Sequence, residues 1–238
     1  MKLSSLTAFF PCYNEEANVE LMVQQLEKVL PRFARKYEIL VINDGSTDRT
    51  GKIADQLSKK FPAVRAIHHP TNLGYGASLR TGFNHAKYDW TFFTDGDMQF
   101  DVSQLEEFLP YTADFNVIIG YRKHRADGGV RAFNARLFKL YIDLLFRLHV
   151  KDIDCAFKLL NTQLIQSLHL QSTGAFTSAE MLYRLKKRGE KMKQLPVDHF
   201  PRKFGTPTGN NPKVVIKAGV EAFKVYFHAK LEQLQSAG

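Results

Sequence analysis

The sequence has few cysteines and almost no tryptophan: Cys12 and Cys155 are the only thiols, and one Trp stands among 238 residues. Two thiols exclude a disulfide-stapled scaffold, and neither falls in a zinc-binding Cys/His spacing. The eight histidines form no H-E-x-x-H pair, which leaves most of them as surface or packing residues. No run approaches the ~18 apolar residues that a spanning helix needs. The apolar stretch after Lys2 is broken by Ser4, Ser5 and Thr7 and ended by Pro11, too short and too polar for a secretory h-region. No G-x-x-x-x-G-K-S/T occurs, and the glycines of residues 72–82 do not follow G-x-G-x-x-G. There is no internal repeat and no low-complexity tract. These absences predict an intracellular chain that does not span a membrane and uses neither a P-loop nor a dinucleotide fingerprint.

What is present suits a globular enzyme-sized domain, with 44% hydrophobic and 24% charged residues over 238 positions. The net charge is +9, but it is divided unevenly. Residues 1–120 hold 12 Lys/Arg against 15 Asp/Glu, whereas residues 121–238 hold 21 against 9. A slightly acidic half joined to a strongly basic one predicts two tasks, with anionic partners met by the second. Nucleic acid, phosphorylated ligands and an acidic membrane surface all meet that description.

The first half alternates short β-branched or aromatic runs with helical spacing. Leu6–Phe10, Ile39–Ile42, Val64–Ile67, Trp90–Thr94 and Val117–Ile119 read as strands. Val19–Leu30, Thr50–Phe61, Ala77–Ala86 and Leu105–Leu109 read as helices, with Asp48 and Ser103 as caps near two of the starts. This alternation predicts an α/β fold with a mostly parallel sheet flanked by helices, where ligands bind beyond the carboxyl ends of the strands. The polar clusters lie at those ends: residues 12–16, 43–48, 72–76 and 95–99. In the second half, residues 131–149, Phe176–Arg188 and Lys213–Leu234 have helical spacing, and the Pro/Gly-rich segment Pro201–Pro212 reads as a mobile loop.

Asp95-Gly96-Asp97 follows the run Trp90–Thr94, so two carboxylates one residue apart can approach a divalent cation together, with Gln99 adding a neutral oxygen. A solvated acidic turn is the competing reading. Asn43-Asp44-Gly45-Ser46-Thr47-Asp48 follows the run at 38–42 in the same way. Asp44 there is suited to accept hydrogen bonds from a base or ribose, while the later residues suit a turn and helix cap.

Taken in order, Pro11-Cys12-Tyr13-Asn14-Glu15-Glu16, Asn43 to Asp48, Asn72-Leu73-Gly74-Tyr75-Gly76-Ala77 and Asp95-Gly96-Asp97-Met98-Gln99 form one series. It continues with Gly120-Tyr121-Arg122, Asp154-Cys155-Ala156-Phe157-Lys158, Glu180 within Phe176–Leu182, and Arg202-Lys203-Phe204-Gly205. The series resembles the family 2 glycosyltransferases of GT-A (Rossmann-like) fold. Among them it is similar to the dolichyl- and polyprenyl-phosphate sugar transferases, of which dolichyl-phosphate mannose synthase is the best known. The resemblance implies that Pro11, Tyr13, Glu15, Ile42 and Asp44, with Asp95 and Gly96, hold a GDP- or UDP-linked sugar. It implies that Asp95, Asp97 and Gln99 hold Mn²⁺ or Mg²⁺, and that Asp97, Arg122 and Arg202 act in catalysis. Arg122, Arg131, Lys158 and Arg202 would meet the acceptor phosphate.

The implied organisation is one GT-A domain over residues 1–210 and a C-terminal amphipathic helix over 211–238. Within the domain, residues 1–120 take the nucleotide sugar and metal, and residues 121–210 take the acceptor. The implied reaction is inverting hexosyl transfer to a polyprenyl phosphate, which needs no strong base because the acceptor oxygen is already anionic. Transfer to a sugar hydroxyl is the alternative, and there Asp154 or Glu180 would serve as base. A non-catalytic basic module binding nucleic acid or anionic lipid stands as the second alternative. The acidic first half argues against nucleic acid as a partner.

On a helical wheel of residues 133–148, Phe133, Leu137, Leu140, Tyr141, Leu144, Leu145 and Leu148 form one face, widened by Phe138, Ile142 and Phe146. Beside the basic residues Arg136, Lys139 and Arg147, so broad a face predicts a helix lying in a membrane headgroup boundary. Residues 213–231 repeat the pattern with Ile216, Val220, Phe223, Phe227 and Leu231. Burial against the sheet or in a homodimer is the competing expectation, and a membrane partner protein is a further candidate for delivering a lipid. The expected location is peripheral, at the cytoplasmic face of a membrane.

Overall fold

The computed structural model describes residues 1–123, 137, 140–205 and 219–223. The five expected strands all form: β1 (Leu3–Cys12), β2 (Ala34–Asn43), β3 (Val64–His68), β4 (Trp90–Thr94) and β5 (Val117–Arg122). Two more join them, β6 (Phe157–Asn161) and β7 (Met192–Val197), in a seven-stranded sheet of order β3-β2-β1-β4-β6-β5-β7. All pairings are parallel except those of β6, which runs antiparallel to both β4 and β5.

The apolar runs follow from burial on both faces. Neighbouring residues of β4 point to opposite sides, so Phe93 packs on Phe9 and Phe83 while Phe92 packs on Phe157. Helix α1 (Val19–Phe33) lays Val19, Met22, Val23, Leu26 and Leu30 into the core at helical spacing. It is joined by α2 (Thr50–Lys60), α3 (Tyr75–His85), a short α4 (Thr162–Gln166) and α5 (Thr177–Lys187).

The strand order positions the site. The chain runs outward from β1 to β2 and β3, then returns to place β4 on the other side of β1. That reversal opens a crevice at the carboxyl ends of β1 and β4. Because β6 is antiparallel, with Thr94 opposite Phe157, its amino end lies at the same edge. The carboxyl ends of β5 and β7 arrive there too, bringing residues 122, 154–156 and 198–205 toward one rim.

Three expectations need correction. The 105–109 segment is not an α-helix: two 3₁₀ turns, Val102–Glu107 and Leu109–Ala113, occupy that region. The cap there is Asp101, whose carboxylate accepts from the Ser103 amide, so Ser103 supplies the donor. Asp48 does receive the Thr50 amide as expected at a helix start. The wide apolar arc of residues 133–148 is not all outward. Residues 140–146 are helical, and Ile142 and Phe146 are core, Phe146 lying 4.6 Å from the Tyr183 ring and 5.7 Å from that of Phe176. The exposed residues are Leu137, Leu140 and Leu144, at 51, 68 and 78%. Val220 and Phe223 are exposed nearby, where the Tyr141 hydroxyl donates to the Gly219 carbonyl. Arg131, Phe133, Phe138, Ile216, Phe227 and Leu231 lie outside the described residues. Among the described residues, no helix is long and apolar enough to cross a membrane.

Candidate active site

Asp95 and Asp97 occupy the turn directly after β4. The turn fits because position 96 is glycine: a Cβ there would come within 2.9 Å of the Phe10 ring and the Pro11 carbonyl. Met98 has a φ of +62°, a left-handed conformation unusual for a side chain of this kind, and the Gln99 amide donates to Asp97 Oδ1 at 3.2 Å. Backbone held in this way keeps both carboxylates at the strand end. Burial, reinforced by the neighbouring Asp97 charge, pushes the Asp95 carboxyl up to about 7. The Tyr75 hydroxyl donates to Asp95 Oδ1 at 3.0 Å, and burial followed by the Asp95 charge holds that phenol well above its ordinary value.

Arg202 joins the two sides of the crevice. Its Nη2 pairs with Glu15 Oε1, its Nη1 lies 3.5 Å from Asp97 Oδ2, and its Nε donates to the Phe204 carbonyl at 2.6 Å. The segment carrying it is clasped onto the Asp-x-Asp turn, because Gln99 Nε2 donates to the Phe200 carbonyl and the Phe200 amide to the Gln99 carbonyl, both at 2.9 Å. Glu15 also accepts from Asn18 Nδ2 at 2.6 Å and donates its own amide to Thr50 Oγ1 at 2.8 Å. Pro11 pairs with Ile42 across β1 and β2, Ile42 is fully buried, and Tyr13 stands exposed at the rim.

Other expected residues have different surroundings. The Asp44 carboxylate is enclosed: Oδ1 accepts from the Leu73 amide at 2.9 Å and lies 2.7 Å from His69 Nδ1, while Oδ2 accepts from the Gly74 amide at 2.9 Å. Arg122 is clamped by Asp152, with Nε and Nη2 donating at 2.6 and 2.8 Å. Burial works against its charge, but the Asp152 carboxylate outweighs burial and raises the guanidinium above its usual value. Lys158 departs furthest from the expectation. It is fully buried, with Nζ donating to the Ile153 and Cys155 carbonyls, and burial lowers its ammonium. Facing inward, it organises the 153–155 turn and does not line an open phosphate pocket. Glu180 is equally inaccessible: its carboxylate accepts from the Gln171 and Ser172 amides and from Arg184 Nε. Asp154 is exposed, and its charge reaches both Tyr75 and Arg122. The two cysteines are packing residues, with burial raising both thiols, Cys155 to about 12.

Thus Glu15, Asp95, Asp97 and Arg202 come together, with Arg122 within electrostatic reach of Asp95. Neither Asp152 nor Tyr75 is among the residues to which the motifs assign a role. Tyr75 carried a signal in its place within the 72–77 cluster, whereas Asp152 carried none. Among the described residues, no group of three or more His, Cys, Asp or Glu side chains is placed to hold a metal by itself. The Asp95–Asp97 pair nevertheless fits a hard divalent cation that takes its remaining oxygens from a ligand, since two close carboxylates, one strained toward protonation, favour a positive charge between them.

A sequence profile of glycosyl transferase family 2 matches residues 7–186. Glycosyltransferase AglD of Haloferax volcanii is 29% identical over 209 residues, 83% of this chain and 33% of that protein. Dolichyl-phosphate beta-glucosyltransferase ALG5C of Trichomonas vaginalis is 28% identical over 172 residues, 64% of this chain and 50% of that protein. The chain therefore spans a third to about half the length of the curated relatives it matches. Among solved structures, glucosyl-3-phosphoglycerate synthase from Mycobacterium tuberculosis, in complex with Mn²⁺, UDP-glucose and phosphoglyceric acid, superposes with a TM-score of 0.69. The identity is 15%, over 94% of this chain and 80% of that one. Mannosyl-3-phosphoglycerate synthase from Rubrobacter xylanophilus gives 0.69 at 16% identity, over 98% and 75%. At these identities the likeness is one of fold, the GT-A fold. With the profile spanning most of the sheet and its helices, the chain belongs to glycosyl transferase family 2.

Proposed function

We propose that this chain carries out metal-assisted, inverting transfer of a hexosyl unit from a UDP- or GDP-linked sugar to a polyprenyl phosphate. The observation that carries the reading is the Arg202 bridge, one guanidinium meeting both Glu15 beyond β1 and Asp97 beyond β4. A nucleoside against Pro11, Tyr13 and Glu15 and a diphosphate against Asp95 and Asp97 share that cation, which sits where negative charge grows as the sugar–phosphate bond breaks. Asp95 and Asp97 are the residues to hold Mn²⁺ or Mg²⁺, and such an ion supplies charge stabilisation of the departing diphosphate. Gln99, expected as a third ligand, has its side-chain nitrogen engaged on the Phe200 carbonyl, and its part in this reading is to fasten the Arg202 segment to the turn. Residues 1–120 serve the donor and residues 121–210 the acceptor.

In the transfer, an acceptor phosphate oxygen attacks the anomeric carbon from the face opposite the leaving nucleoside diphosphate. The new C–O bond forms as the old one breaks, and no proton has to be removed. A site in which the Glu180 carboxylate is committed to backbone amides suits that requirement. Three observations support the lipid phosphate. The relative from Trichomonas vaginalis is named for dolichyl phosphate, the second half of the chain is strongly basic, and Leu137, Leu140 and Leu144 form an exposed apolar stripe. Docking by that stripe makes the chain peripheral at the cytoplasmic face of a membrane.

The test supplies Mn²⁺, labelled UDP-glucose or GDP-mannose, and undecaprenyl or dolichyl phosphate in detergent, and counts label extracted into organic solvent. Lipid-linked label is expected with the wild-type chain and none with Asp97→Ala, which should also lose the metal-dependent part of nucleotide stabilisation. Label appearing only in a water-soluble product, with 3-phosphoglycerate as acceptor, would overturn the lipid reading.

A further inference from the structure

The cluster at residues 72–77 is held more tightly than a surface turn requires. On one side the amides of Leu73 and Gly74 both donate to the Asp44 carboxylate at 2.9 Å. On the other side the amides of Gly76 and Ala77 donate to the Thr173 carbonyl, at 2.9 and 3.3 Å. A Cβ at position 76 would overlap Thr177 Oγ1 and the Thr173 backbone, so the helix start and the 173–177 segment fit only with glycine there. The first residue of α3, clamped between these two supports, is Tyr75, and its hydroxyl reaches Asp95 Oδ1 at 3.0 Å.

We propose that Tyr75 is a positioning residue for the divalent cation: its phenol fixes the Asp95 carboxylate so that Oδ2 is presented to the ion. The inference rests on the metal reading of Asp95 and Asp97 above. A carboxylate at a strand end turns readily about its side-chain torsions, and a donor on one oxygen selects one orientation before the ion arrives. Hydrogen bonds of this kind to ligating carboxylates alter metal affinity by roughly 10- to 100-fold. The arrangement also gives Asp44 a task in this chain, since its carboxylate anchors the loop that aims Tyr75.

Tyr75→Phe removes the hydroxyl and keeps the ring. Mn²⁺ binding is read from the loss of the free-ion paramagnetic resonance signal, with UDP and GDP tried in turn. The variant should stay folded and bind Mn²⁺ about tenfold more weakly, while its metal-free nucleotide affinity stays at the wild-type value. An unchanged Mn²⁺ affinity in folded Tyr75→Phe, with Asp95→Ala having lost binding, overturns the role of Tyr75 and leaves the metal site standing. Undiminished binding in Asp95→Ala overturns both. Should Tyr75→Phe not fold, wild-type chain carrying 3-fluorotyrosine decides the matter. One of its nine tyrosine ¹⁹F resonances should move both in Asp95→Asn and on adding Mg²⁺ with nucleotide, and the absence of any resonance that does both overturns the proposal.

Discussion

Asp95 is the residue with the plainest pH signature. Its carboxyl is raised by burial and by Asp97 to about 7, above the unfolded carboxylate range. A raised acid binds its proton more tightly folded than unfolded, so its contribution to stability is present at low pH and is lost as pH rises through about 7. A bound cation reverses the balance by favouring the ionised form. The rise in Tm on adding Mg²⁺ and nucleotide is therefore expected to be larger at pH 8 than at pH 6, and an equal or smaller rise at pH 8 would argue against an ion on Asp95. Arg202 gives a second prediction at this scale. Arg202 is only 17% exposed and pairs with two mostly buried carboxylates, so Arg202→Ala should cost about 2–3 kcal/mol of stability. Turnover should fall roughly 10²-fold, because the lost cation faces the departing diphosphate. Kinetics at saturating nucleotide sugar beside a melting curve check both halves of that statement.

At the scale of elements, the segment from residue 171 to α5 is held by one buried carboxylate. Glu180 accepts from the Gln171 and Ser172 amides and pairs with Arg184, with no exposure to solvent. Glu180→Gln is expected to lower stability by about 2–3 kcal/mol, the size expected for hydrogen bonds to a charged group, measured by denaturant unfolding. The same change should leave the residual turnover of the folded fraction close to wild type, since the carboxylate faces backbone and not the crevice. A large fall in kcat with unchanged stability would restore Glu180 as a base. The elements also show where sequence patterns were insufficient. β7 contains Lys193, Gln194 and Pro196 and is mostly half-buried, as suits a strand at the sheet edge where a missing amide donor is tolerated. β6 carries Lys158 as its second residue, and a charged residue interrupts the apolar signal although its ammonium is satisfied by two carbonyls.

For the molecule as a whole, the apolar stripe of Leu137, Leu140 and Leu144 lies beside exposed Val220 and Phe223. Leu140→Asp with Leu144→Asp should release the chain from anionic liposomes without lowering Tm, as read by sedimentation and melting. Phe146→Asp should instead destabilise by at least ~3 kcal/mol, because that ring is packed against Phe176 and Tyr183. Wild-type chain that stays in the supernatant at low salt would mean that this face does not dock on a membrane by itself.

The sequence by itself determined the α/β alternation, the five strands from β1 to β5 and the clusters at their ends. Burial on both faces leaves β-branched and aromatic runs, and turns leave Gly, Asn and Asp, both written locally in the chain. It also placed Asp95, Asp97, Glu15 and Arg202 in motifs, without showing that they meet. That meeting was decided by tertiary structure: the reversal at β1, the antiparallel β6 and the return through β7 carry residues 15, 97 and 202 to one rim. The fates of Asp44, Lys158 and Glu180 were decided there as well. A charged side chain looks the same in sequence whether it faces a ligand or a backbone amide, and only the packed fold fixes which partner lies within hydrogen-bonding reach.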